Sequence, residues 1–181
     1  MPSLHQRLPR KSAEEPTRGD APAACREAAL RLLARTRRTR AELERRLKDK
    51  GFAAPVVSEV LDRLAEVGLV DDAEFACAWL AGRWGRRPSG WRRLLQELRA
   101  LGIGDEHIER ARAMLLERGG APDELASAAK LVEHARRRYA RLDRRLRRQR
   151  LYALLARHGY DSDVIRRALD LREPLESGAR G

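Results

Sequence analysis

Arginine is the residue type in this sequence best placed to do chemistry, and that chemistry is ion pairing. Three clusters stand out. The first is Arg35, Arg37, Arg38 and Arg40; the second is Arg83, Arg86 and Arg87, continuing to Arg92 and Arg93. The third runs from 136 to 150, where nine arginines, among them Arg137, Arg141, Arg144 and Arg148, stand against the single acid Asp143. Guanidinium groups stay charged at any physiological pH, so clusters lacking acidic counterparts suit a polyanion or an acidic protein surface. Trp84 and Trp91 flank Arg86-Arg87-Pro88-Ser89-Gly90. They suit stacking on exposed bases, anchoring a protein interface, or packing beneath that loop.

Residues for bond-making chemistry are sparse. Asp71 and Asp72 are adjacent carboxylates, but capping a helix explains them without a metal or a proton to move. His107, His134 and His158 share no ligand spacing, and no Ser/His/Asp or Cys/His set lies within reach along the chain. Gly119-Gly120 reads as a linker, since the lysine and hydroxyl of a phosphate-binding loop are missing around it. No cofactor, metal site or catalysis is expected.

Composition narrows the classes further. The chain has 181 residues, 39 basic and 27 acidic, for a formal net charge of +12. Only four of the bases are lysine (Lys11, Lys48, Lys50, Lys130). A GC-rich genome accounts for arginine over lysine but not for base over acid, so an anionic partner remains the expectation. Cys25 and Cys77 form no metal-binding or disulfide pattern and fit reduced thiols in a cytoplasm. No apolar run approaches the roughly 18 residues that span a bilayer, and no secretion signal is visible.

The elements that carry the arginines are helical. Val57, Val60, Leu61 and Leu64 have the i, i+3, i+4, i+7 spacing of one helix face, and Trp91, Leu94, Leu95 and Leu98 repeat it. Leu125, Ala128, Ala129 and Val132 follow it more loosely. Thr39 and Glu42 form a capping-box spacing, and Asp71 with Glu74 a related one. Gly51, Gly102 and Gly159 each follow a helical run and suit the left-handed residue that ends it.

Aligning the chain on those glycines exposes a repeat. Leu43, Leu94 and Leu151 lie eight residues before them, and Leu47, Leu98 and Leu155 four before. Phe52, Ile103 and Tyr160 follow directly; Val57, Ile108 and Ile165 lie six after, and Val60, Ala111 and Ala168 nine after. The spacing predicts an all-α fold of three tandem three-helix repeats at 23–70, 71–120 and 121–171. Flexible tails are expected at 1–22 and 172–181. Units this small bury little surface alone, so they should stack into an elongated, curved array of roughly 70 Å. The basic clusters fall at the same place in each unit, between its first and second helices, and would form one stripe if the stacking has one handedness. By contrast Glu59, Asp62 and Glu66, and later Asp161, Asp163 and Asp170, load the final helices with acid. Segment 41–64 therefore makes a poor major-groove reader, whose recognition helix needs bases or amides at its start.

Three stretches carry a resemblance. Thr39-Arg40-Ala41-Glu42-Leu43 with Leu47 and Lys50-Gly51-Phe52, then Gly68-Leu69-Val70-Asp71-Asp72-Ala73-Glu74-Phe75-Ala76, then Glu97-Leu98-Arg99-Ala100-Leu101-Gly102-Ile103 resemble the bacterial regulatory protein RecX family. The resemblance covers about 25–171 and is strongest over 39–103. Thr39 stands where serine is usual and Trp91 where an aliphatic residue is usual, and the third unit is unusually arginine-rich. The resemblance implies three tandem three-helix repeats and a cytoplasmic modulator of the RecA recombinase. Such proteins bind RecA filaments on single-stranded DNA, lie in the filament groove, and inhibit recombinase, ATPase and coprotease activity. A monomer without a cofactor is expected. The alternative is a basic helical module that binds nucleic acid without RecA.

Overall fold

The computed structural model describes residues 21–84, 88–120 and 123–172. Among them are nine α-helices and no strand: α1 (Ala21–Leu33), α2 (Arg40–Asp49), α3 (Ala54–Glu66), α4 (Asp72–Trp84), α5 (Trp91–Ala100), α6 (Asp105–Glu117), α7 (Glu124–Arg136), α8 (Arg144–Arg157) and α9 (Ser162–Arg172). A short 3-10 turn, Arg137–Tyr139, follows α7. Each consecutive trio of helices packs around its own apolar cluster. α1–α3 enclose Cys25, Ala29, Leu43, Leu47, Val57, Val60, Leu61 and Leu64. The equivalent places are taken in α4–α6 by Ala76, Leu80, Leu94, Leu98, Ile108 and Ala111. In α7–α9 they are taken by Ala128, Val132, Leu151, Leu155, Ile165 and Ala168. The helical apolar positions at fixed offsets from the three glycines are thus buried because each helix turns one stripe inward, while Phe52, directly after Gly51, is partly buried against the first cluster.

The ends of the chain differ from expectation at single residues. Ala21, Pro22 and Arg172, read from the sequence as tail, are helical. Pro22 sits in the first turn, where its missing N–H is no loss. The rest of both tails lies outside the described residues.

The units join through the ends of their second helices. The hydroxyl of Thr39, the N-cap of α2, donates to the carbonyl of Leu101, the C-cap of α5, at 3.0 Å. At the next joint the N–H of Gly90, the N-cap of α5, donates to the carbonyl of His158, the C-cap of α8, at 2.8 Å, and the Arg92 N–H reaches the Gly159 carbonyl at 3.2 Å. The positive N-terminal end of one helix dipole therefore meets the negative C-terminal end of the next at both joints. α8, α5 and α2 follow one another head to tail, and their 14, 10 and 10 residues make about 50 Å of helix.

A carboxylate at each joint satisfies a helix N–H that its own helix leaves free. Asp72, the first residue of α4, accepts from the Arg40 N–H at 2.8 Å, and Glu124, the first residue of α7, accepts from the Trp91 N–H at 2.6 Å. Asp71 caps locally, accepting from the Glu74 N–H at 2.9 Å. The adjacent pair therefore divides its work between two helices of different units. Thr39 accepts from the Glu42 N–H at 3.1 Å, but the Glu42 carboxylate is taken by Arg38 and Arg46.

Candidate partner-binding surface

The basic clusters are placed by the connection between the first and second helix of each unit, and their surroundings differ. In the first, Arg35 and Arg37 are exposed, whereas Arg38 is largely covered and bonds Glu42. Burial would raise the Glu42 carboxyl, but Arg46 and Arg38 outweigh it and hold it below the usual carboxylate range. Arg40 reaches Asp62 on α3 at 2.7 Å. In the second cluster Arg83 pairs with Glu97 and lies over Trp79, its guanidinium 5.2 Å from the ring centroid. Arg93 donates to Glu97 at 3.1 Å, and Arg92 stands 3.7 Å from Asp161 of the third unit. Arg86 and Arg87 lie outside the described residues.

The third cluster occupies the 3-10 turn and the start of α8. Arg137, Arg138, Arg141, Arg145 and Arg150 are exposed there, and Asp143 is used to cap the helix by accepting from the Leu146 N–H at 3.0 Å. Arg148 bonds Asp170, and Arg136 lies 3.7 Å from Glu133. The first two clusters adjoin a following unit that supplies acid. Arg118 and Arg37 together hold the Glu74 carboxyl low, the Arg118 bond contributing most, and Asp161 faces Arg92. No unit follows the third among the described residues. In its place α8 begins one turn earlier, at Arg144–Arg147, ahead of Arg148, the position that matches the first residues of α2 and α5, Arg40 and Trp91.

Two pairings hidden in the repeat emerge from this geometry. Arg40 and Asp62 lie eleven residues before and after Gly51, and Arg148 and Asp170 lie eleven before and after Gly159. Both tie the second helix of a unit to the third. In the middle unit Trp91 replaces the arginine, and the Arg112 guanidinium lies over its ring, 5.2 Å from the centroid. Arg40 and Arg148 therefore belong partly to the fold. The sequence could have yielded both pairs, because they occupy equal offsets from the glycines.

Trp84 and Trp91 come together at the joint of the second and third units. Their centroids are 6.0 Å apart with planes tilted by 41°, so each ring contacts the other. With Arg112 they wall a cleft of about 300 Å³ that also presents Glu124 and Asp161. Two carboxylates in so small a cleft disfavour a phosphate there. The histidines are dispersed: the His134 ring lies 3.1 Å from the Lys130 carbonyl, the His158 ring 3.0 Å from the Pro88 carbonyl, and His107 beside Glu106. Cys25 and Cys77 are buried, and burial raises the Cys25 thiol. Among the described residues no group of three or more His, Cys, Asp or Glu stands where it would hold a metal ion, and no helix is long and apolar enough to cross a membrane.

Comparison with known proteins accounts for this architecture. Family models for the first, second and third three-helix domains of RecX match residues 25–64, 71–111 and 122–169. The regulatory protein RecX of Mycobacterium ulcerans (strain Agy99) is 41% identical over 160 residues, covering 87% of this chain and 87% of that protein. That of Thermobifida fusca (strain YX) is 38% identical over 151 residues, covering 82% and 77%. The crystal structure of RecX from Lactobacillus salivarius superposes with a TM-score of 0.76 at 21% identity, over 87% of this chain and 99% of that one, a likeness of fold. With all three helical units matched in order and similarity running through most of the chain, the protein belongs to the RecX family of regulatory proteins.

Proposed function

We propose that this chain regulates the RecA recombinase. It binds RecA filaments on single-stranded DNA, occupies their helical groove, and lowers recombinase, ATPase and coprotease activity. It acts as a monomer in the cytoplasm, needs no cofactor and performs no chemical step. One observation carries the reading: three helical units are joined in a row, and the third presents Arg137, Arg138, Arg141 and Arg145 as exposed side chains. An array of repeats suits a repeating polymer, because attachment of one unit raises the effective concentration of the next. Family membership supplies the kind of partner, and the exposed guanidiniums suit acidic groove walls or DNA phosphates. The joint chemistry supports a monomer. Ala21 stands where Asp72 and Glu124 supply the capping carboxylate, and Gly51 faces open space where Gly102 and Gly159 face a neighbouring helix.

Strand exchange tests the reading. Sub-stoichiometric protein should depress product formation by RecA, and unchanged product at equimolar protein would refute it. The density of arginine in the third cluster also suits a module that binds nucleic acid alone. That reading predicts equal binding to naked and RecA-coated strands, with affinity falling steeply as salt rises.

A further inference from the structure

Between α8 and α9 lies an open groove of about 520 Å³ whose walls carry Arg144, Arg145, Arg148 and Arg166 and whose floor includes Tyr152 and Leu169. Tyr152 is 39% exposed, and its hydroxyl donates to the Ser162 hydroxyl at 3.2 Å, which fixes the ring against the groove. The repeat shows how unusual this surface is within the molecule. Where the third unit has Tyr152, the first has Glu44 and the second Leu95; where it has Arg166, they have Ser58 and Glu109. An aromatic floor between arginines on facing helices occurs only at the third unit's version of these positions.

We infer that this groove docks an acidic, amphipathic segment of a protein partner, with an apolar side chain on Tyr152 and carboxylates on Arg145 and Arg166. The mixture of surfaces is complementary to such a segment: its apolar face meets the floor, and its flanking acids meet guanidiniums in the bidentate geometry both prefer. A nucleic-acid strand fits less well, because α9 places Asp170 on Arg148 and Asp163 on Arg166. A closely spaced row of phosphates would have to face both carboxylates, whereas a peptide can set one acid on Arg145, which neither carboxylate bonds, and share only Arg166 with Asp163. The inference deepens the reading of the chain as a regulator that binds a protein filament and rests on it.

The test uses the full chain and a labelled helical peptide of about fourteen residues, with leucines every third or fourth place and glutamates between them. Anisotropy titrations compare this probe with a scrambled peptide, oligoglutamate and an oligo(dT) strand. The amphipathic peptide should bind about tenfold more tightly than oligoglutamate, and Tyr152→Ala should cost it about tenfold, as loss of one buried aromatic contact implies. Arg145→Glu with Arg166→Glu should abolish binding while helicity by circular dichroism stays unchanged. Equal affinity for oligoglutamate and peptide, indifference to Tyr152→Ala, or loss of oligo(dT) rather than peptide on Tyr152→Ala would each overturn the inference. Because the titration contains no recombinase, its failure is separable from failure in strand exchange.

Discussion

Gly51, Gly102 and Gly159 look alike in sequence and carry different loads. All three have positive φ, at 90°, 80° and 83°, which an L side chain adopts at a cost. A Cβ at Gly51 would meet nothing within 4 Å, whereas one at Gly159 would lie 2.5 Å from the Arg93 Cβ and 2.6 Å from its backbone nitrogen. Gly51→Ala should therefore cost about 1–2 kcal/mol of backbone strain alone. Gly159→Ala should add about 1–3 kcal/mol of overpacking at the joint. Chemical denaturation of the two variants checks the difference, and equal losses would show that the helix ends do not press together there. The conformational demand is legible in sequence, since only glycine meets it freely. The contact is not, because the residue it meets lies 66 positions away.

At the scale of helices, the joints rest on carboxylates that cap a neighbour. Glu124 is half-buried, and burial pushes its carboxyl up; the Trp91 N–H and Arg112 pull it down, while Asp161 pushes it further up. Its folded value thus lies above the unfolded one. The stability this group supplies is complete below the ordinary carboxylate range and is lost as pH rises through the raised value. Glu124→Gln keeps an oxygen for the Trp91 N–H and removes the charge. The variant should match or exceed the parent's stability at pH 7 and lose less on going from about pH 4 to pH 7. Thermal melts across that range measure it, and a variant weaker at pH 7 than at pH 4 relative to the parent would reverse the sign. Helix type, order and inward faces were readable because burial repeats at helical spacing within each unit. Asp72 read as a cap of its own helix because local spacing favours that; the Arg40 N–H it serves becomes a neighbour only when the units join. Arg40–Asp62 and Arg148–Asp170 escaped for a related reason: Trp91 breaks the pattern in the middle unit.

Over the whole molecule, charge is distributed by position in the row. Acids of the next unit reach Arg37 and Arg92 in the first two clusters, acids of the same unit take Arg38, Arg40, Arg83 and Arg93, and the third cluster exposes Arg137, Arg138, Arg141 and Arg145. Reversal of that cluster is best made at Arg137, Arg138, Arg141 and Arg145, which are exposed, and not at Arg148, whose side chain is 19% exposed and bonded to Asp170. The decisive measurement is the affinity of labelled protein for RecA-coated single strands beside naked ones, for the parent and this fourfold arginine-to-glutamate variant. The account predicts preference for the coated strand, and a loss of at least about a hundredfold on reversal if each guanidinium contributes about 0.7 kcal/mol or more. Equal binding to coated and naked strands, or undiminished filament binding by the variant, would contradict it.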